Sequence, residues 1–210
     1  LLTSPHICQF LREELLFLGY KISQEGLSPN PEKVRAIAEF PTPGSALQVR
    51  QFLGLAGYYR KFISQFSSIA EPLIALTRDG IEFKWDESCQ RALEELKVRL
   101  TSSPILLFPD FAKPFFLHTD ACNAGLGAAL MQHDSSGREI AVAFASRTLH
   151  KAERKYSTSE KECLAVVWAL EYFRPYVEGS LVTVYSDHSR VYIVPCCPLI
   201  KAHSTGCVFV

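Results

Sequence analysis

Apolar residues recur at helical spacing through the first half of the chain, in short blocks separated by proline-rich breaks. The block that follows residue 30 predicts a helix with Asn30 as its N-cap and Pro31 at its first position, running to about Phe40. It ends before Pro41 because proline disfavours helical backbone in the residue that precedes it.

Three further helices are predicted before residue 104. Ser45 caps the second, whose apolar face is formed by Leu47, Phe52, Leu55, Tyr58, Tyr59 and Phe62. The third covers Ser67 to Thr77. Asp86 caps the fourth, which runs from Glu87 to Thr101.

The start of the chain is ambiguous between helix and strand. Residues Ser4 to Leu18 have helical spacing, whereas Leu16 to Ser23 also fits a strand. In the second interpretation a turn at Gln24 to Gly26 would return the chain as a hairpin through Leu27 and Ser28.

The pattern changes at Pro104, after which strand-like segments are separated by turns. Strands are predicted at 115–120, 126–132 and 140–146, followed by a helix over 158–173 and a strand at 181–186. The fold class is therefore α+β or α/β: a helical segment followed by a mixed sheet of antiparallel strands, with one long helix and a further strand.

Composition restricts the class of protein. The 22 basic and 22 acidic residues cancel, so any attraction for nucleic acid must come from local patches. Seven scattered cysteines without a CxxC pair argue against a disulfide framework or zinc knuckle. No apolar run approaches the roughly 18 residues of a membrane span and no signal peptide is found, so we expect a cytoplasmic or nuclear protein without a membrane anchor. Because the chain begins with Leu1, we expect a fragment.

Three carboxylates stand where metal chemistry would need them. Asp120 and Asp187 end predicted strands, and Glu162 lies in the first turns of the long helix. Converging acids of this kind hold two divalent cations about 3.5–4 Å apart for phosphodiester hydrolysis. Oxygen ligands favour Mg²⁺ or Mn²⁺. The alternative is that Glu162 forms a capping box with Ser159 and that the two aspartates are ordinary turn acids.

Several blocks of sequence resemble gypsy-type LTR retrotransposon Pol polyproteins. They lie in the family's order and cover about residues 1 to 190, from the reverse transcriptase palm and thumb to the RNase H domain. The blocks are FLGY (17–20), PTP (41–43), FLGLAGYYRKF (52–62), FLHTDACNAGLGAAL (116–130), FASRTL (144–149), YSTSEKECLAVVWAL (156–170) and VYSDH (184–188).

The resemblance implies a domain plan and an activity. Residues 1–28 would end the palm, 29–103 would form thumb or connection helices, 104–188 a truncated RNase H-like domain, and 189–210 a divergent tail. Asp120 would bridge two Mg²⁺ or Mn²⁺ ions, with Glu162 and Asp187 on either side. The implied reaction is cleavage of RNA in an RNA–DNA hybrid, and the polymerase active site is not in this chain.

The resemblance also implies a nucleic-acid face on the second helix. Arg50, Gly54 and Tyr58 are spaced at i, i+4 and i+8, so they share one side. Arg60 and Lys61 would add phosphate contacts. The expected partners are an RNA–DNA hybrid or primer–template and the remainder of the Pol polyprotein. The alternative is that Tyr58 is a core aromatic and Gly54 a helix-packing position.

The likeness to the family fails after His188. No Asp or Glu follows Asp187, so the family's fourth carboxylate is missing and the two-metal site is expected to be incomplete. Pro195 and Pro198 oppose the long helix that the family has there. A non-catalytic remnant that binds nucleic acid, or a structural subunit, therefore remains the alternative function.

Overall fold

The structure, a computed structural model, describes residues 12–186 together with the backbone of residues 201–202 and 207–209. Residues 4–11 of the helix predicted at the start of the chain lie outside this range, as do Asp187 and most of the tail. Within residues 12–186, no helix combines the length and the apolar character that a membrane span requires. Cys89, Cys122 and Cys163 are free thiols.

The described chain begins with an antiparallel three-stranded sheet, made of β1 (Glu14–Phe17), β2 (Tyr20–Ser23) and β3 (Gly26–Pro29). Leu18 and Gly19 turn the chain between the first two strands, with φ of 47° and 75°. The helix predicted at this end is therefore wrong over β1, and the predicted long strand is broken in two. The cause is local, since two left-handed residues in succession cannot continue either a helix or a strand.

Five helices and a 3₁₀ turn form the segment that follows. They are α1 (Pro31–Ala38), α2 (Ala46–Tyr58), the 3₁₀ turn Arg60–Phe62, α3 (Phe66–Ile69), α4 (Glu71–Ala75) and α5 (Glu87–Thr101). The three predicted N-caps are confirmed: the side chains of Asn30, Ser45 and Asp86 each accept a hydrogen bond from a backbone N–H of the first helical turn.

Two predictions within this segment are wrong. The third helix divides into α3 and α4, because Pro72 cannot donate the backbone hydrogen bond that a continuous helix needs. The buried face of α2 is formed by Val49, Phe52 and Ala56. Leu47, Leu55 and Tyr58, which were expected on that face, are exposed.

A mixed sheet forms the second half of the described chain and confirms the predicted fold class. Its strands are β4 (Phe115–Ala121), β5 (Gly125–His133), β6 (Glu139–Thr148) and β7 (Val182–Ser186), in the order β6-β5-β4-β7. Strands β4 to β6 are antiparallel neighbours, and β7 lies parallel to β4. Helices α6 (Thr158–Tyr172) and α7 (Arg174–Val177) connect β6 to β7.

Part of the predicted divergent tail extends the same sheet. The backbone of β9 (Cys207–Phe209) pairs antiparallel with β7, and β8 (Lys201–Ala202) pairs with β9. The domain bounds proposed from the sequence stay predictions.

The helical segment and the sheet have separate cores that meet at β6. Helices α1 to α5 enclose one apolar cluster around Phe52, Phe62 and Leu96, and the sheet and α6 enclose another around Phe115 and Leu117. Ala141 of β6 belongs to the helical cluster. A backbone bridge between Leu27 and Leu106, with both hydrogen bonds at 2.8 Å, joins β3 to the chain that enters the sheet. The sheet therefore packs against the helical segment mainly through β6.

Candidate functional site

Asp120 is the penultimate residue of β4, the strand that lies between β5 and β7. Its backbone pairs with Gly127 of β5, and its side chain is half-buried. The carboxylate Oδ2 accepts a hydrogen bond from the side-chain amide of Gln65, which belongs to the helical segment. Pairing with β5 holds the backbone of Asp120 in place, as a ligand position requires, and the ladder between β4 and β7 reaches the preceding residue, Thr119.

Glu162 reaches the same end of the sheet from α6, and it is only 3% exposed. Its Oε1 accepts from the backbone N–H of Ala121 at 3.2 Å, and its Oε2 accepts from the Ser186 hydroxyl at 3.2 Å. Ala121 follows Asp120, and Ser186 is the last residue of β7. A buried carboxylate is stable only when such donors compensate for its lost hydration. Glu162 is therefore held between the ends of β4 and β7.

The structure contradicts the alternative that Glu162 belongs to a capping box. The N-cap of α6 is Ser157, and its side chain accepts from the backbone N–H of Glu160. The Glu160 carboxylate in turn accepts from the backbone N–H of Ser157 at 2.7 Å. The hydrogen bond that the Ser157 hydroxyl donates to the Glu160 carboxylate, followed by that from the Ser157 backbone N–H, lowers the pKa of Glu160. Glu162 lies two residues further along the helix and faces the sheet.

Asp187, the third predicted acid, lies outside the described residues. The described backbone reaches Ser186, which pairs with Thr119 across the parallel β4–β7 ladder. Among residues 12–186, no group of three or more His, Cys, Asp or Glu side chains could hold a metal. Asp120 and Glu162 supply carboxylate oxygens, the ligand type that Mg²⁺ and Mn²⁺ prefer, so the donor chemistry fits these ions.

Arg50, Gly54 and Tyr58 lie on the exposed side of α2, as their spacing predicts. The Arg50 guanidinium donates to the Thr77 carbonyl at 3.1 Å. Within the described part of the chain, no atom lies within 4 Å of the position that a Cβ on Gly54 would occupy. The two alternatives for this face are therefore wrong, because Tyr58 is 49% exposed and the Cβ position of Gly54 is open among the described residues.

Tyr58 also fastens the first hairpin to α2. Its ring stacks on Tyr20 at 5.2 Å between centroids, and its hydroxyl donates to the Leu18 carbonyl. Tyr59 donates to the Gly19 carbonyl at 2.8 Å. Burial, followed by the contact with Tyr58, raises the pKa of Tyr20 to about 12.

Arg60 and Lys61 make contacts within the chain. The Arg60 guanidinium donates to the Ser146 carbonyl of β6. The Lys61 ammonium lies 4.0 Å from the centroid of the Tyr20 ring, and burial lowers the Lys61 pKa. A phosphate-binding role for either residue stays a prediction.

Two residues next to the predicted acids were missed by sequence reasoning. Gln65 is 55 residues from its partner Asp120, and Ser186 is 24 residues from Glu162. Neither has a sequence signal of its own, since a single Gln or Ser in a loop or strand is common. Only the fold brings them to the carboxylates.

Comparison with known proteins identifies the family. Residues 85–184 match the RNase H-like domain found in reverse transcriptase. The Pol polyprotein of the Drosophila melanogaster transposon opus is 42% identical over 191 residues, which is 85% of this chain and 19% of that polyprotein. That of the transposon gypsy is 39% identical over 86% of this chain and 18% of its own length. The chain belongs to the retroelement Pol family.

Relatives in this Pol family extend from flies to yeast and viruses. The Tf2-3 polyprotein of Schizosaccharomyces pombe is 34% identical over 88% of this chain and 14% of that polyprotein. The foamy viral protease–reverse transcriptase in complex with RNA/DNA hybrid superposes with a TM-score of 0.71 at 28% identity, over 85% of this chain and 24% of that one. The chain thus spans about a fifth or less of the length of these curated Pol relatives.

Proposed function

We propose that this chain carries the RNase H activity of its Pol polyprotein, the metal-dependent cleavage of RNA in an RNA–DNA hybrid. The observation that supports this most is the buried carboxylate of Glu162, held by Ala121 and Ser186 at the strand ends next to Asp120 and Asp187. Burying a carboxylate costs hydration free energy, and groups with this cost cluster at functional sites.

The residues of the chain have distinct tasks in this proposal. Asp120, Glu162 and Asp187 would hold Mg²⁺ or Mn²⁺, which when bound supplies an activated water and stabilises the leaving oxygen. The backbone N–H of Ala121 and the hydroxyl of Ser186 orient Glu162. The close approach of β6 to β5 needs Gly125, where a Cβ would lie 2.6 Å from the Arg147 carbonyl oxygen.

Cleavage of a labelled RNA–DNA hybrid with Mg²⁺ or Mn²⁺ tests the proposal. Asp120→Asn should lower the rate at least about 100-fold, because it removes a charged metal ligand. Asp79→Asn, the same change at an exposed turn, should leave the rate unchanged. Equal rates in wild type and Asp120→Asn would contradict the assignment.

A second candidate function is binding of the hybrid without cleavage, which is supported by the exposed face of Arg50, Gly54 and Tyr58. The foamy viral relatives were solved with RNA/DNA hybrid and with double-stranded DNA. Arg50→Ala should weaken hybrid binding, whereas Arg91→Ala, which removes an exposed cation from α5, should not. A folded wild type that binds the hybrid but does not cleave it would favour this function.

A further inference from the structure

The loop that leads into α3 crosses the acidic end of the sheet. Gln65 is the last residue of this loop, and its side-chain amide donates to Oδ2 of Asp120. Ser68, three residues later, lies 3.4 Å from the Cys122 sulfur, from Oγ to Sγ. The helical segment therefore contacts the end of β4 at Asp120 and the residue after the strand, Cys122.

The loop is held in a conformation that aims Gln65 at this carboxylate. Gln65 has φ 54° and ψ 32°, the left-handed region that residues with a Cβ rarely adopt. The Ser67 backbone N–H donates to Ser146 Oγ at 2.9 Å, and that hydroxyl donates to Ser67 Oγ at 3.1 Å. Arg60 donates to the Ser146 carbonyl. Hydrogen bonds before and after Gln65 thus hold this segment against β6, and strained backbone of the kind seen at Gln65 clusters at functional sites.

The sheet leaves space for the Gln65 side chain. Gly127 is the residue of β5 that pairs with Asp120, and a Cβ there would lie 3.3 Å from Gln65 Cγ. A larger side chain at position 127 would push against the methylene chain of Gln65. Gly127 on β5 and the left-handed backbone of Gln65 therefore both allow the hydrogen bond from Gln65 to Asp120.

We propose that Gln65 is a positioning residue that orients the Asp120 carboxylate for its divalent cation. The inference rests on the proposed function, because it requires a cation at Asp120. A carboxylate has about four lone-pair sites, so a single amide donor on Oδ2 leaves the others for the metal. Hydrogen bonds from the residues behind a metal ligand set its orientation and its affinity. The helical segment thereby completes a site that the sheet alone does not.

Mn²⁺ binding to the full chain, measured by calorimetry without nucleic acid, tests this role. Gln65→Met removes the donor at similar length, and Gln65→Gly removes it while tolerating the left-handed backbone. Both should bind Mn²⁺ about threefold to tenfold more weakly, less than the usual loss of about 10–100-fold because Gln65 is exposed to water. Gln65→Gly should unfold at no lower temperature than wild type. Gln51→Met, at an exposed position of α2, is the control.

The outcomes separate this inference from the proposed function. If wild type fails to bind Mn²⁺, or Asp120→Asn binds it equally well, the metal site is wrong and both proposals fail. If Asp120→Asn abolishes binding while both Gln65 variants bind like wild type, only the role of Gln65 is overturned. Weaker binding that merely follows a lower unfolding temperature in both variants would make Gln65 structural and would also overturn it.

Discussion

The helical segment and the sheet place their candidate residues in different ways. At the sheet, Asp120 is held by its pairing with Gly127 of β5, and the carboxylate of Glu162 accepts from Ala121 and Ser186. In the helical segment the basic candidates are long and flexible. Arg60 and Lys61 turn toward Ser146 and Tyr20. A role inferred from spacing is therefore better supported for the acids held at the ends of the strands than for the long cations beside α2.

The largest loss of stability is expected from a large-to-small substitution in either core. Phe52 of the helical cluster and Phe115 of the sheet cluster are both 0% exposed, so either change to Ala should cost about 3–5 kcal/mol. Trp85 packs on the first cluster and Trp168 on the second. Urea unfolding of single-tryptophan variants (Trp85→Phe or Trp168→Phe) would follow each region separately. Both probes should shift together, because Ala141 of β6 joins the helical cluster; two independent transitions would contradict this.

The hydrogen bonds between the two regions should contribute less than the cores. Ser146 is 3% exposed and bonds the backbone N–H and the hydroxyl of Ser67. Ser146→Ala leaves that buried N–H without an acceptor, so the free energy of unfolding should fall by about 1–3 kcal/mol. Ser135→Ala in the exposed hairpin turn is the control. Equal stability of the two variants in urea would show that the bonds between regions carry little energy.

An ion pair within the sheet region should make stability depend on acid pH. Arg147 makes two hydrogen bonds to Glu153, at 2.7 and 2.9 Å, and with the His150 N–H it lowers the Glu153 pKa from its usual 4.5 to about 2. A depressed folded pKa adds stability above 4.5 that is lost as the pH falls toward 2. Glu153→Gln should remove about 1 kcal/mol of this pH dependence. Urea midpoints at pH 6, 4 and 3 would measure it, and parallel profiles would refute it.

The smallest effect has the opposite sign and tests the exposed face of α2. Because a Cβ at Gly54 meets no atom of residues 12–186 within 4 Å, Gly54→Ala should stabilise the helix by about 0.5–1 kcal/mol. If nucleic acid approaches this backbone, the same change should weaken hybrid binding. Thermal unfolding and a hybrid-binding titration would separate the two effects. Stronger folding with unchanged binding would remove Gly54 from the interface.

Local signals in the sequence were reliable where a single residue decides the backbone. The caps Asn30, Ser45 and Asp86 begin helices as predicted, because each satisfies N–H groups of its own first turn. The sheet strands were also predicted, since short apolar runs between turn signals are typical of strands. The signals failed where competing local patterns overlap, as in β1, and where Pro72 divides an otherwise helical stretch.

By itself, the sequence determined the family, the order of helices and strands, and the identity of the candidate acids. These properties depend on residue type and spacing along the chain. Only the tertiary structure decided which donors hold Glu162, that Gln65 reaches Asp120, and that Arg60 and Lys61 bind within the chain. These contacts join residues that are 24 to 86 positions apart in the chain, so they depend on how the elements pack. Such contacts follow from burial and geometry in three dimensions, and spacing along the chain does not encode them.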